Sequence, residues 1–166
     1  MNSVEMNKQA KLSPNFTLGE LTKTSYHTSD GNIPSHVAIE NLKRICGWLE
    51  ILRERYNFKY GDRSQEIPII ISSGYRSEEV NQKCGGAKGS NHLTGCAVDI
   101  KCLGPEQMIR YACLLLDIAD EKSHKGDDPN CENFDELILE KRGTTYWIHF
   151  AVRPSGNRRK ILFDCR

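Results

Sequence analysis

From about Ser35 to Tyr56 the apolar residues Ile39, Leu42, Ile45, Cys46, Leu49, Leu52 and Tyr56 recur at intervals of three and four. That spacing predicts a helix with one buried stripe. Met108, Ala112, Leu115, Leu116 and Ala119 keep the same interval after Pro105, which suits a first helical position, so a second helix is expected there. Elsewhere the rhythm changes. Glu66 to Ser73 is a β-branched run too short for a helix and apolar enough for a buried strand. Ala97 to Cys102 reads as a further strand, and Phe134–Glu140 and Tyr146–Val152, joined by Lys141–Thr145, read as a hairpin. Asn157 to Phe163 is expected to add an edge strand with its cations outside. Two short helices complete the pattern. One follows Thr17, with Glu20 as its capping-box partner and a possible staple between Phe16 and Leu21, and the other runs from Ser77 through Cys84 with Ser77 as N-cap. The long helices are expected to pack on the sheet.

Composition narrows the class. A chain of 166 residues with 38% hydrophobic content fits one domain of ordinary size, here residues 13–166, preceded by a polar, loosely held segment at 1–12. Lysine and arginine number 23 against 22 acids, a net charge of +1, so there is no broad electrostatic case for nucleic acid or for an anionic membrane. Seven cysteines, an odd number with no Cys-x-x-Cys pair, argue against a disulfide framework and against a thiolate zinc site. Reduced and mostly buried thiols are expected instead. Met1 to Leu12 lacks the apolar run of about 7–15 residues of a secretory signal, and nothing approaches the roughly 18 apolar residues of a membrane span. The expectation is a soluble protein, without membrane insertion, made in the cytoplasm and reaching any target outside it after release.

The chemistry gathers around Ser90-Asn91-His92-Leu93-Thr94-Gly95-Cys96-Ala97-Val98-Asp99-Ile100. Neutral imidazole and carboxylate both ligate zinc, and a catalytic site takes three protein ligands and leaves one position open. His92 and Asp99 supply two. His149, among the aromatic and β-branched neighbours Tyr146-Trp147-Ile148-His149-Phe150, is the third candidate. Seven residues separate His92 from Asp99, which on one continuous strand would put them on opposite faces. The strand therefore starts after His92, and Gly95 offers the break because it can take backbone angles closed to other residues. His36 is read as solvated or capping, and His124 as solvated, in a charged loop that can also edge a substrate groove. Gly85-Gly86-Ala87-Lys88-Gly89 follows a helix and lacks the lysine-serine or lysine-threonine ending of a phosphate loop, so it is read as a flexible link.

Hairpin arithmetic then selects an acid. If the loop spans Arg142 to Thr145, Lys141 faces Tyr146 and Ile138 faces His149, so Glu136, Ile138 and Glu140 share a face with His149. Glu140 is diagonal to the histidine at roughly 7–8 Å between backbones, within reach of a metal-activated water as general base. Glu136 lies toward the other end, and Asp135 joins that face only if the register slips by one. Arg76, at the end of the Glu66–Ser73 strand, can bind a substrate carboxylate through two parallel hydrogen bonds or can pair with a local acid. Ser90 is either a helper to bound substrate or a turn residue.

Taken together, Ser73-Gly74-Tyr75-Arg76-Ser77, Asn81, Gly85-Gly86, Ser90-x-His92-x-x-Gly95-x-Ala97-x-Asp99 and Trp147-Ile148-His149 resemble the zinc D-Ala-D-Ala carboxypeptidases and their relatives, the L-alanyl-D-glutamate endopeptidases of phage lysins. The resemblance spans about Phe16 to Phe163. It implies an α+β fold of the hedgehog and D,D-peptidase type, with a central antiparallel sheet flanked by helices. It implies Zn2+ held by His92, Asp99 and His149, and hydrolysis of peptidoglycan stem peptides, with Arg76 orienting a substrate carboxylate and Ser90 near the scissile bond. Many relatives place the catalytic acid three residues before the last zinc histidine. Tyr146 stands there in this chain, so Glu140 is the acid chosen. The expected protein is a monomeric zinc peptidase that cleaves wall peptides, either as a D-Ala-D-Ala carboxypeptidase or as an endopeptidase of the phage endolysin type. The alternatives are a noncatalytic zinc-containing module that binds wall peptides, and a domain that uses zinc only for stability.

Overall fold

The computed structural model describes residues 6–62, 64–123 and 133–166; His124 lies outside them. Four helices, α1 (Leu18–Leu21), α2 (His36–Tyr60), α3 (Glu78–Lys83) and α4 (Pro105–Ser123), accompany five strands, β1 (Ile71–Ser73), β2 (Ala97–Cys102), β3 (Glu136–Arg142), β4 (Thr145–Ala151) and β5 (Lys160–Cys165). A single 3-10 turn, Asn91–Thr94, precedes β2. The strands form one sheet in the order β1-β2-β4-β3-β5.

Strand periodicity sorts the side chains. Val98, Ile100 and Cys102 of β2, Leu137 and Leu139 of β3, and Ile148 and Phe150 of β4 are all buried, as successive outward and inward positions require. They join Leu42, Ile45, Leu49 and Leu52 of α2 and Met108, Leu115 and Ile118 of α4 in one hydrophobic cluster. Trp48 tilts against Phe150 at 5.4 Å between ring centroids. The opposite face of the sheet, carrying Asp99, Glu136, Ile138, Glu140, Trp147 and His149, floors a cavity of about 730 Å³.

Three strand pairs are antiparallel as expected. The fourth corrects the wholly antiparallel sheet, because β5 runs parallel to β3. β4 ends at the end of the sheet where β3 begins, and residues 152–159 only step past that edge before β5 starts alongside it. The strand expected at Glu66–Ser73 shortens to Ile71–Ser73. Pro68 has no N–H for a ladder, and the pairing of β1 is irregular between Ile71 and Ser73. α2 runs four residues beyond Tyr56 and stops at Gly61, whose N–H bonds to Asn57 O.

The caps follow the sequence. Thr17 and Glu20 form the reciprocal capping box, and the Ser77 side chain accepts from Val80 N. Ser35, not His36, caps α2. Residues 6–12 lie against the body: Leu18 N donates to Ala10 O, and Met6, Ala10 and Leu12 pack on the core. Of the six cysteines described, Cys46, Cys96 and Cys102 are buried and Cys84, Cys113 and Cys165 are exposed, so the expectation of mostly buried thiols holds for half of them. No helix among the described residues is long and apolar enough to cross a membrane.

Candidate metal centre

Gly95 ends the 3-10 turn with φ 72°, a left-handed conformation that glycine adopts without strain. A Cβ there would come within 2.4 Å of the Ala38 carbonyl oxygen. The turn can therefore press on α2, and it delivers His92 to the start of β2 while Asp99 arrives two residues inside that strand. Ser90 caps the turn by accepting from His92 N at 3.3 Å. Across the sheet Asp99 pairs with His149, and His149 pairs with Ile138, so the two ligands from β2 and β4 stand in one row.

The three candidate ligands converge. His92 Nε2 and His149 Nδ1 are 3.2 Å apart, His149 Nδ1 and Asp99 Oδ1 are 3.1 Å apart, and His92 Nε2 and Asp99 Oδ1 are 3.3 Å apart. A tetrahedral ion with ligands at 2.0–2.1 Å spaces them by about 3.3 Å. Each ligand is also anchored from behind, as metal-binding side chains usually are. The His92 Nδ1 hydrogen points at Gly74 O, 2.6 Å away, which leaves Nε2 as the free lone pair. His149 Nε2 lies 3.4 Å from Glu136 Oε2, which leaves Nδ1. Arg76 donates to Asp99 Oδ2 at 2.5 Å, which leaves Oδ1. His92 and Asp99 are buried, and the donor set fits a divalent cation with one side open to the cavity.

Electrostatics agree with that assignment. Burial pushes the His92 imidazole down, against the opposing pull of Asp99. Burial alone would raise Asp99, but the charge and hydrogen bonds of His92 and His149 hold it below the ordinary carboxylate range. His149 is opposed by burial yet lifted to about 9 by its hydrogen bonds to Asp99 and Glu136. Without a metal this imidazole carries the proton that a cation would displace. Glu136 is held at about 2 chiefly by its bond to His149.

Glu140 occupies the expected place. It pairs with Trp147, two residues along β3 from the His149 row, and lines the cavity. Burial raises its carboxyl, Asp99 raises it further, and a hydrogen bond with the Trp147 side chain works the other way. The expected register is the one observed, although the turn is Gly143-Thr144 rather than four residues. Removing one residue from each side of a loop leaves the pairing intact, and Gly143, at φ 56°, takes the positive angle that a two-residue hairpin turn needs. Regular pairing also explains Tyr146. Three residues from His149 is an odd step, so Tyr146 lies on the opposite face and packs against the core.

Arg76, expected to face substrate, is bonded here to Asp99 Oδ2 and, through Nε, to Ser73 Oγ at 2.9 Å, while still lining the cavity. The residues that sequence reasoning missed stand behind the ligands. Asp135, fully buried, receives Arg158 Nε at 2.8 Å and Nη2 at 2.7 Å and Asn91 Nδ2 at 2.9 Å. Asn91 also reaches Glu136 Oε2 at 3.1 Å, and Arg158 reaches Glu136 Oε1 at 3.0 Å. Arg158 thus turns onto the site instead of standing outside as a cation of an edge strand. Arg159 pairs with Asp120 of α4. The signal available was Asn91 beside a ligand and two adjacent acids at the start of a strand.

Comparison with known proteins agrees with this geometry. A family model described as Peptidase M15 matches residues 14–119. Over 86 residues the chain is 31% identical to the zinc D-Ala-D-Ala carboxypeptidase of Streptomyces albus G, covering 52% of this chain and 31% of that protein. The chain thus spans about a third of the length of the curated relative it matches. The family match contains His92 and Asp99, and the pairing of β2 with β4 brings His149 to them from outside it. By that match the chain belongs to the Peptidase M15 family.

Proposed function

We propose that this protein is a zinc-dependent peptidase that hydrolyses peptide bonds in peptidoglycan stem peptides. The observation that carries the proposal is the triangle of His92 Nε2, Asp99 Oδ1 and His149 Nδ1 at tetrahedral spacing, at the floor of an open cavity. The matched relative is named for zinc and for D-Ala-D-Ala, and that chemistry is carried over as part of the proposal. Held by these three residues, zinc would supply a Lewis acid for the scissile carbonyl and would bring the pKa of a water to about 7.

The chain's own groups do the rest. Glu140 takes the proton of the attacking water and returns it to the leaving amine. A carboxyl raised by burial and by Asp99 is better suited to that exchange than Glu136, which is held at about 2 and already committed to His149. Glu136 fixes the tautomer and the angle of the His149 ring. Arg76 holds Asp99 Oδ2 through Nη2 and, with the N–H groups that this bond leaves over, orients a substrate carboxylate across the cavity, and Ser90 stands near the scissile bond. An endolysin-type role, with synthesis in the cytoplasm and action on the wall after release, belongs to the same proposal.

The test is mass spectrometry of defined muropeptides incubated with zinc-loaded protein. Hydrolysis that disappears with a chelator and returns with zinc supports the reading. Intact muropeptides at full zinc occupancy contradict it and favour a noncatalytic wall-binding module.

A further inference from the structure

The cavity is lined by five arginines, Arg76, Arg142, Arg153, Arg158 and Arg166. Four are committed to acids. Arg76 holds Asp99, Arg158 holds Asp135 and Glu136, Arg153 lies 3.6 Å from Asp135, and Arg166 grips Asp164 through two bonds of 2.9 and 3.1 Å. Arg142 is the exception, for no acid among the described residues pairs with it. It shares a strand face with Glu136, Ile138 and Glu140, and it closes the end of that face, because the chain turns at Gly143 immediately after it.

Its distance from the metal row is fixed by the strand. Ile138 stands opposite His149, and Arg142 is four residues further along β3. At about 3.4 Å per residue that is roughly 13–14 Å. An extended peptide covers the same span with about four residues. Between the two lie Glu140 and Trp147, which keep the floor continuous. A guanidinium without an acid, at the edge of a cavity where its neighbours are neutralised, favours a carboxylate through paired hydrogen bonds.

Resting on the peptidase reading above, we propose that Arg142 is a remote subsite for a carboxylate carried about four residues from the cleaved bond, so that the cavity selects extended acidic peptides. Removal of a single terminal residue would fill one residue of this floor and leave Arg142 unused on that side.

The test uses peptide pairs that differ only in one group, glutamate against glutamine, placed three to five residues from the cleaved bond on either side. A further pair has a free or an amidated C-terminus, which separates a side-chain carboxylate from the chain's own end. For zinc-loaded wild type, the acid at one of these positions should be preferred about tenfold, expressed in KM, and Arg142→Gln should collapse that ratio to about one. Arg142→Glu should invert it in favour of a lysine-bearing peptide. An unchanged ratio in both variants, or wild type indifferent to acid at every position, overturns the subsite while leaving the peptidase intact. Wild type that cleaves none of the peptides or muropeptides overturns the peptidase reading and the subsite with it.

Discussion

Glu136 Oε2 and His149 Nε2 lie 3.4 Å apart on neighbouring strands, and the same imidazole turns its Nδ1 toward Asp99. The contact decides which ring nitrogen of His149 is available to a cation, and it gives Glu136 a role distinct from that of Glu140 on the same strand face. A carboxylate behind a ligating histidine raises the basicity of the ring and fixes its orientation.

Glu136→Gln is therefore expected to weaken zinc binding by about 10–100-fold, read by chelator competition. The amide is nearly isosteric, so the circular dichroism of the zinc-loaded variant should match wild type. Unaltered zinc affinity would show that Glu136 does not hold the ring.

Glu140→Gln should lower turnover of muropeptides by about 10²–10⁴-fold while zinc content stays at the wild-type level. Substrate capture on the zinc-loaded variant should persist. Equal turnover in both proteins removes Glu140 from the mechanism.

In the metal-free protein, stability should depend on pH through the same pair. His149 is raised to about 9 from 6.5, so its contribution is complete below about 6.5 and is lost as pH rises through about 9. Glu136 is depressed to about 2 from 4.5, so its contribution is complete above about 4.5 and is lost as pH falls toward about 2. Thermal melting with excess chelator should show greatest support from this pair between about pH 4.5 and 6.5, and His149→Ala should flatten the alkaline fall. A metal-free protein that grows more stable from pH 7 to 9 in wild type and in His149→Ala alike would deny the pair its role.

Gly95→Ala should destabilise the fold by at least about 1–2 kcal/mol from the left-handed backbone alone, with a further penalty because the new methyl meets the Ala38 carbonyl at 2.4 Å. Urea unfolding checks the magnitude. Zinc affinity should fall as well, since the displaced turn carries His92.

Much of this arrangement was legible in the residues because it rests on local rules. The periods of α2 and α4, the Thr17 capping box and the Ser77 cap are decided within a few residues of themselves. The pairing of Ile138 with His149 follows from a hairpin whose register is symmetric about its turn. His92 and His149 stand apart from the other histidines through their neighbours, a glycine break and a strand after the first and aromatic and β-branched residues around the second. Less legible were features set by distant partners. Nothing near Lys160 says that β5 pairs with β3 in parallel, and nothing near Arg158 says that its guanidinium meets Asp135, 23 residues earlier in the chain. Pro68 stands in plain view, but the isoleucines around it argue for a strand more strongly than its one missing ladder N–H argues against it.

X-ray absorption at the zinc edge, on zinc-loaded wild type and on His149→Ala, tests the central claim most directly. The account predicts one zinc per chain with a nitrogen and oxygen shell at about 2.0–2.1 Å, two imidazoles in wild type, and one fewer in the variant. A sulfur shell at about 2.3 Å, or an identical spectrum from the variant, would contradict it.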